Sequence, residues 1–199
     1  MRVGPRQAIG LMGGSFDPAH AGHAHVATTA LKHLGLDQVW WLVAPQNPWK
    51  AHASDFAARL AGAERLARAT TAGDRLIATD LERRLGAFRT IETLRALQAR
   101  FPATRFVWVM GADGLVSMHL WRAWREIWGR LPICIVARPG VQGRALAAPA
   151  PALFARARLP QEAARELAWR APPAWVYLRA PLVDLSSTSL RAQAGRSPK

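Results

Sequence analysis

A chain of 199 residues, half of them hydrophobic and a fifth charged, is long enough to bury the core of one α/β domain. Its formal net charge of +14 suits an anionic partner, but the arginines are scattered through alanine-rich stretches and form no basic block. We therefore expect no nucleic-acid partner, and since no apolar run is long enough to cross a bilayer, no membrane partner.

Short apolar runs alternate with longer helical patterns along the first half of the chain. The predicted elements are a strand near 7–12, a helix near 20–34, a strand near 38–43, a loop over 44–53 and a helix near 54–71 that Ser54 caps. The alternation continues with a strand near 75–79, a helix near 89–100 ended by Pro102, a strand at 105–110, short helices near 112–118 and 121–130, and a strand at 132–137.

The remaining third of the chain is less regular. Residues 140–160 are rich in alanine and proline, which predicts a mobile surface excursion. A helix near 160–169, a strand near 174–179 and a final helix from Ser186 to about Ala194 follow. Apolar strands alternating with helices predict one domain over 1–199: a Rossmann-like, doubly wound parallel sheet with helices on both faces and a small C-terminal helical segment. Ligands of such sheets bind outside the carboxyl ends of the strands.

The most informative motif is GGSFDPAHAGH at 13–23. Gly13 and Gly14 follow the first strand, where a backbone without side chains lets a ligand approach closely. A helix that begins at about His20 offers free N–H groups and partial positive charge to an anion. His20 and His23 share one helix face, so both imidazoles can point at that anion. The pattern predicts a phosphate-binding site.

A zinc site is the alternative interpretation, with His20, His23 and His25 as ligands. It is weaker, because zinc needs three or four convergent ligands and Cys134 is the only cysteine. A single cysteine also excludes an internal disulfide and fits a reducing compartment. The start of the chain leads into the first strand without a separate signal segment, so we expect a cytoplasmic protein.

The stretch 13–23 resembles the signature of the HxGH nucleotidyltransferase superfamily, in the form found in bacterial nicotinate-nucleotide adenylyltransferases. A second segment, DLSSTSLR at 184–191, is similar to the Ile-Ser-[Ser/Ala]-Thr-x-Ile-Arg motif of the same enzymes. Its hydroxyls can cap a helix and bind phosphate, and Arg191 can reach the same anion, although an ordinary capping run would look alike.

Three further segments carry the resemblance. PQNPWK at 45–50 is similar to the family's Pro-Asn-Pro-Pro-His-Lys-like loop, with Trp49 where many members have histidine and His52 close enough to substitute for it. FRTIETL at 88–94 is similar to a segment in which Thr90 contacts substrate; Thr90 is also a good helix N-cap. Gly111-Ala112-Asp113 precedes Trp121 and Trp124, and we expect Trp121 to stack on a pyridine ring while Trp124 and Trp128 form a core stripe.

The resemblance implies transfer of AMP from ATP to nicotinic acid mononucleotide, a step of NAD biosynthesis, by a catalytic pair, His20 and His23. It implies an ATP and phosphate site made of Gly13, Gly14, Ser15, Phe16, Lys50, Asp113, Arg138, Ser187, Thr188 and Arg191, closed by a C-terminal substructure over about 175–199. It implies a nicotinate-nucleotide site of Asn47, Thr90 and Trp121, and Mg²⁺ bound mainly through substrate phosphates without protein metal ligands.

Three other activities remain open at this point. Phosphopantetheine adenylyltransferases carry a form of this motif, but are shorter and usually have threonine where this chain has His20. A preference for the amidated mononucleotide depends on pocket dipoles that the sequence does not reveal. A basic nucleic-acid-binding protein would explain the charge and not the motifs. The oligomeric state is also open, and a homo-oligomer is compatible with the sequence.

Overall fold

The computed structural model describes residues 4, 6–45 and 55–180. Within them seven strands form one sheet in the order β3-β2-β1-β4-β5-β7-β6. The strands are β1 Ala8–Gly14, β2 Gln38–Val43, β3 Leu76–Thr79, β4 Arg105–Gly111, β5 Ile133–Val136, β6 Arg158–Leu159 and β7 Trp175–Leu178. Every neighbouring pair runs parallel. The predicted Rossmann-like α/β fold is confirmed.

Helices cover both faces of the sheet. They are α1 Ala21–Leu34, α2 Phe56–Arg68, α3 Leu81–Arg84, α4 Thr90–Arg100, α5 Ala112–Ser117, α6 Trp124–Arg130, α7 Gln142–Leu146 and α8 Pro149–Leu153, with 3₁₀ segments at Gly73–Arg75, Met118–Leu120, Ala155–Ala157 and Gln161–Trp169. One core layer contains α1, α2 and the 161–169 segment, and the other contains the remaining α-helices. Since both faces are buried, the strands are continuous apolar runs.

Strand residues alternate between the two core layers. In β1, Ala8 and Met12 pack on one side of the sheet, and Ile9 and Leu11 pack on the other. The same alternation separates the adjacent tryptophans of β2, both fully buried. Most of the tryptophans that make this composition unusual are therefore core residues.

The boundaries of two helices differ from the prediction. Asp55, not Ser54, caps α2: its carboxylate accepts a hydrogen bond from the Ala58 N–H at 3.1 Å. Arg89 occupies the N-cap position of α4, so Thr90 is the first helical residue and makes no capping hydrogen bond. Both predictions were wrong by one residue, because several adjacent polar residues suit a cap and only the path of the backbone selects among them.

Residues 140–160 form ordered structure where we predicted a surface excursion. They form α7, α8, one 3₁₀ turn and β6, which extends the sheet at its edge. Phe154 stacks on Trp128 with ring centroids 4.6 Å apart, and its carbonyl accepts a hydrogen bond from Trp175 Nε1 at 2.8 Å. Ala145 and Ala150 are fully buried, so the small residues that suggested a loop serve close packing.

None of the helices in the described part of the chain is both long and apolar enough to cross a membrane. The predicted helix from Ser186 to Ala194 and most of the predicted 44–53 loop lie outside the described residues.

The order of the strands locates a crevice. From β1 the chain builds outward to β3 and then crosses to β4 on the other side of β1. In doubly wound sheets ligands bind at such a switch point, beyond the carboxyl ends of the strands. A ligand site at this crevice would be formed by the residues that follow β1 and β4.

Candidate active site

The predicted phosphate-binding residues lie at the switch point. Gly13 and Gly14 are the last residues of β1, where they pair with the end of β2. Gly111 ends β4 opposite Val136 of β5, and Arg138 follows β5 by two residues. The carboxyl ends of β1, β4 and β5 thus bring together motif residues that are far apart in the sequence.

His20 and His23 cap α1 reciprocally. His20 is the N-cap residue, and its Nδ1 accepts a hydrogen bond from the Gly22 N–H at 3.1 Å. His23 Nδ1 accepts one from the His20 N–H at 3.2 Å, and the two ring centroids are 3.9 Å apart. This is a capping box in which imidazoles replace the usual hydroxyl and carboxylate. The motif therefore both starts the helix and pairs the two rings.

These hydrogen bonds define the tautomer of both rings in the neutral form. A neutral imidazole with an accepting Nδ1 carries its proton on Nε2, so both side chains are N–H donors. The pKa of His20 is lowered to about 4, mainly by burial and secondly by the positive charge of Arg138, while Asp113 opposes the shift. Near pH 7 His20 is therefore a neutral hydrogen-bond donor.

A partly buried ion pair lies beside the histidines. Arg138 Nε is 3.5 Å from Asp113 Oδ1, with the arginine side chain 10% exposed and the carboxylate 59% exposed. A Cβ added to Gly111 would lie 2.4 Å from that carboxylate oxygen and 3.1 Å from Arg138 Nε, so glycine leaves room for the pair. Burial and the charge of Arg138 also lower the pKa of His25. Arg138 thus contributes positive charge to the crevice.

Phe16 supports the histidines from the core side. Its side chain is fully buried, stacks on Trp41 at 5.2 Å and packs against the His23 ring at 4.7 Å. Its φ of 48° lies in the left-handed region, which is unusual for a bulky residue. Of the predicted phosphate-site residues, Phe16 can therefore contribute only its backbone to a ligand site.

Trp108 connects the glycine turn with Trp121. A Cβ on Gly13 would lie 2.8 Å from Trp108 Cη2, and the Trp108 and Trp121 rings meet edge to face at 6.1 Å. Trp121 is half-buried and precedes α6, so the predicted helix near 121–130 starts three residues later, at Trp124. The predicted core stripe on this helix therefore consists of Trp124 and Trp128. Trp121, the residue predicted to stack on the pyridine ring, therefore lies on a turn, and the Trp108 indole lies between it and Gly13.

Thr90 is half-buried at the start of α4. This helix packs beside α6, since Arg95 binds Glu126 at 2.6 Å and Gln98 donates to the Arg130 carbonyl at 3.1 Å. The helix that carries Thr90 is therefore the neighbour of the helix that follows Trp121. Contact of either residue with a nucleotide stays a prediction.

Five predicted site residues lie outside the described residues: Asn47, Lys50, Ser187, Thr188 and Arg191. Trp49 and His52, the two candidates for the loop histidine, lie there too. Their predicted roles rest on the sequence.

Sequence reasoning missed Arg59. Only 4% of this α2 residue is exposed, and it donates to the carbonyls of Ser15 at 2.7 Å, Ala44 at 2.8 Å and Pro45 at 3.2 Å. The sequence did contain an indication that Arg59 is buried, because Arg59, Ala63 and Ala67 share the buried face of α2 at a spacing of four residues. Among so many surface arginines that spacing did not stand out.

Within residues 4, 6–45 and 55–180, no group of three or more His, Cys, Asp or Glu side chains is placed to hold a metal ion. The histidines at 20 and 23 instead use Nδ1 to accept backbone N–H groups. The described geometry therefore gives the zinc interpretation no support.

Comparisons with known proteins identify relatives of this chain. A family model described as cytidylyltransferase-like matches residues 11–193. A protein of Cereibacter sphaeroides named "Probable nicotinate-nucleotide adenylyltransferase" is 50% identical over 185 residues, which cover 92% of this chain and 96% of that protein. A Rhizobium meliloti protein of the same name is 46% identical over 187 residues, covering 93% of this chain and 97% of its own.

A solved structure shares the fold. Nicotinic acid mononucleotide adenylyltransferase of Plasmodium falciparum, complexed with NaAD, superposes with a TM-score of 0.71 at 16% identity, over 94% of this chain and 83% of that one.

Proposed function

Because the chain belongs to the cytidylyltransferase-like family, and within it to the nicotinate-nucleotide adenylyltransferases, we propose that it transfers AMP from ATP to nicotinic acid mononucleotide. The products are nicotinic acid adenine dinucleotide and pyrophosphate, and the reaction is a step of NAD biosynthesis. The observation that carries this proposal is the pair of Nε2–H donors, on His20 and His23, beside the glycine turn at the switch point. A cytoplasmic location stays a prediction from the sequence.

The reaction needs positioning and charge stabilisation more than acid–base chemistry. An oxygen of the mononucleotide 5′-phosphate attacks the α-phosphorus of ATP, and the bond from that phosphorus to the bridging oxygen of the β-phosphate breaks. The attacking phosphate is largely a dianion near pH 7, since its second pKa is about 6. No general base is required, and the enzyme contributes by holding the groups in line and stabilising charge.

The histidines suit the phosphoryl oxygens of this transition state. Their Nε2–H groups would donate to the α-phosphate and to the departing pyrophosphate, and these bonds strengthen as negative charge develops. Without substrate, burial favours the neutral form of His20, and a neutral imidazole whose Nδ1 accepts a backbone N–H donates from Nε2. The N–H groups at the start of α1 and the guanidinium of Arg138 add positive potential.

The other roles follow the motifs. We assign Gly13, Gly14, Ser15 and the Phe16 backbone to the ATP and phosphate site, together with Lys50, Asp113, Arg138, Ser187, Thr188 and Arg191. We assign Asn47, Thr90 and Trp121 to the nicotinate nucleotide, with the indole of Trp121 stacked on the pyridine ring.

The donor chemistry fits a magnesium ion that arrives with ATP. Mg²⁺ prefers oxygen ligands, keeps several waters and binds through substrate phosphates. Among the described residues there is no cluster of carboxylates to hold it independently. Bound in this way, the ion would neutralise phosphate charge, and we propose no protein ligand for it.

A substrate panel tests the proposal. Purified protein receives ATP and Mg²⁺ with nicotinic acid mononucleotide, nicotinamide mononucleotide or phosphopantetheine, and pyrophosphate release is measured. We expect the acid mononucleotide to give the highest kcat/KM. Faster turnover of either other acceptor would contradict the assignment of substrate.

Two histidine variants make the assay specific to the site. His23→Ala should lower kcat by about a hundredfold or more, a typical cost for removing one preorganised donor. His33→Ala is the matched control, since His33 is in the last turn of the same helix and should leave kcat unchanged. Unchanged turnover in folded His23→Ala protein would contradict the proposed role.

A further inference from the structure

We propose that Arg59 is a positioning residue for adenylyl transfer, whose guanidinium holds the turn after β1 and the start of the loop after β2 in the arrangement that places His23. This inference rests on the proposed function, because it assigns what supports that site. Arg59 itself lies under the turn and is not assigned a contact with substrate.

One planar group connects two chain segments. Arg59 Nη1 donates to both Ser15 and Ala44, and Nη2 donates to Pro45. Ser15 follows β1 directly, and Ala44 and Pro45 follow β2. The guanidinium lies 5.4 Å from the centroid of the Phe56 ring, which restricts its orientation. The last backbone hydrogen bond between the two strand ends runs from the Ala44 N–H to the Gly14 carbonyl at 2.9 Å, and the Arg59 contacts connect the residues just beyond it.

The Ser15 carbonyl is the important acceptor, because the next residue is strained. Phe16 has a φ of 48°, in the left-handed region that is unfavourable for an L-residue. Such a conformation persists only where the surroundings hold it. The hydrogen bond from Arg59 fixes the peptide plane that precedes Phe16, and the planar trans peptide passes that constraint to the Phe16 N–H.

The strained residue contacts the catalytic pair. The Phe16 ring contacts both Trp41 and His23, with centroid distances of 5.2 and 4.7 Å. If the Ser15 carbonyl were released, Phe16 could relax its φ, and its ring would move against His23. His23 in turn accepts from the His20 N–H, so both histidines depend on the position of this turn.

Lysine cannot reproduce this arrangement. Its ammonium is a point charge on a flexible chain, whereas the guanidinium presents its donors in a rigid fork. Arg59→Lys therefore keeps the buried positive charge but loses the geometry, which makes it the informative variant. Arg65 is the matched control, because it lies on the same helix and is exposed.

The experiment compares wild type with Arg59→Lys, Arg59→Met, Arg65→Lys and Arg65→Met. The melting temperature, the kcat and KM of adenylyl transfer well below melting, and backbone amide exchange at residues 13–16 without ligand are measured. For Arg59→Lys we expect kcat to fall about tenfold or more, KM for the mononucleotide to stay within about twofold, and exchange to accelerate about tenfold or more. Both Arg65 variants should behave as wild type.

Wild-type kcat and wild-type exchange in Arg59→Lys would overturn the inference. An unfolded Arg59→Lys protein, or a loss of kcat only in proportion to its unfolded fraction, would also overturn it, because Arg59 would then serve stability alone. Should Arg59→Met fail to fold, the lysine variant decides. If the wild type forms no dinucleotide, the proposed function fails, and the exchange measurement by itself decides whether Arg59 holds the turn.

Discussion

Gly13→Ala should destabilise the protein through one rigid contact. The new Cβ would lie 2.8 Å from Cη2 of Trp108. Carbon atoms in contact prefer separations of about 3.5–4.0 Å, so the indole must move by roughly 0.7 Å or more. Trp108 is only 2% exposed and meets Trp121 edge to face, which leaves it little room.

The size of the effect follows from overpacking. Such insertions into a packed core cost about 1–3 kcal/mol. In a domain of this length each 1 kcal/mol lowers the melting temperature by roughly 2–4 °C, so we expect a decrease of about 2–12 °C. Gly111→Ala provides the contrast, because its closest contact is the exposed carboxylate of Asp113, which can rotate away. Its destabilisation should be smaller.

Thermal unfolding of Gly13→Ala, Trp108→Phe and the double variant tests the contact. Phenylalanine reaches less far than tryptophan, so the added methyl group should fit beside it. The double variant should therefore be more stable than the sum of the single effects by about 1 kcal/mol. A wild-type melting temperature for Gly13→Ala, or strictly additive effects, would refute this reasoning.

Three further expectations concern single side chains. Because the pKa of His20 is lowered from 6.5 to about 4, the NMR titration of its ring should have a midpoint near pH 4, and a midpoint near 6.5 would contradict this. The stability that neutral His20 contributes is fully present above pH 6.5 and should be lost as the pH falls through 4. Burial raises the pKa of Glu82, which accepts from the Thr93 hydroxyl at 3.0 Å, from 4.5 to about 7. Stability should therefore decrease by about 3 kcal/mol from pH 4.5 to above pH 7, and urea unfolding of Glu82→Gln should not show that decrease. Asp55→Ala removes the cap of α2 and should cost about 1 kcal/mol in the same unfolding assay, whereas no change would assign the cap elsewhere.

Much of the fold follows from local patterns in the sequence. The apolar strands could be predicted because both faces of the sheet are buried, which makes each run continuous. The 140–160 region could not, because helices of five residues such as Gln142–Leu146 and Pro149–Leu153 are too short to show a periodicity. Its ordered packing depends on Phe154, Trp128 and Trp175, which are distant in sequence.

Some features of the candidate site could likewise be predicted from the sequence and others could not. The histidine pair and the glycine turn were predicted from one motif, since three-residue spacing on a helix fixes their relation. The donor state of the rings depends on reciprocal Nδ1 hydrogen bonds that only the backbone geometry reveals. The contact of Arg59 with Ser15 and that of Trp108 with Gly13 escaped prediction because each joins residues more than forty positions apart. The roles of Lys50 and Arg191 still rest on their motifs.

The proposed transfer of AMP can be tested directly by following the phosphorus atoms of ATP. The protein is incubated with nicotinic acid mononucleotide, Mg²⁺ and ATP radiolabelled at either the α- or the γ-phosphate, and the products are separated. We predict that the α-label appears in nicotinic acid adenine dinucleotide and the γ-label in pyrophosphate. A γ-label on the mononucleotide, release of labelled orthophosphate with ADP, or no labelled dinucleotide would contradict adenylyl transfer.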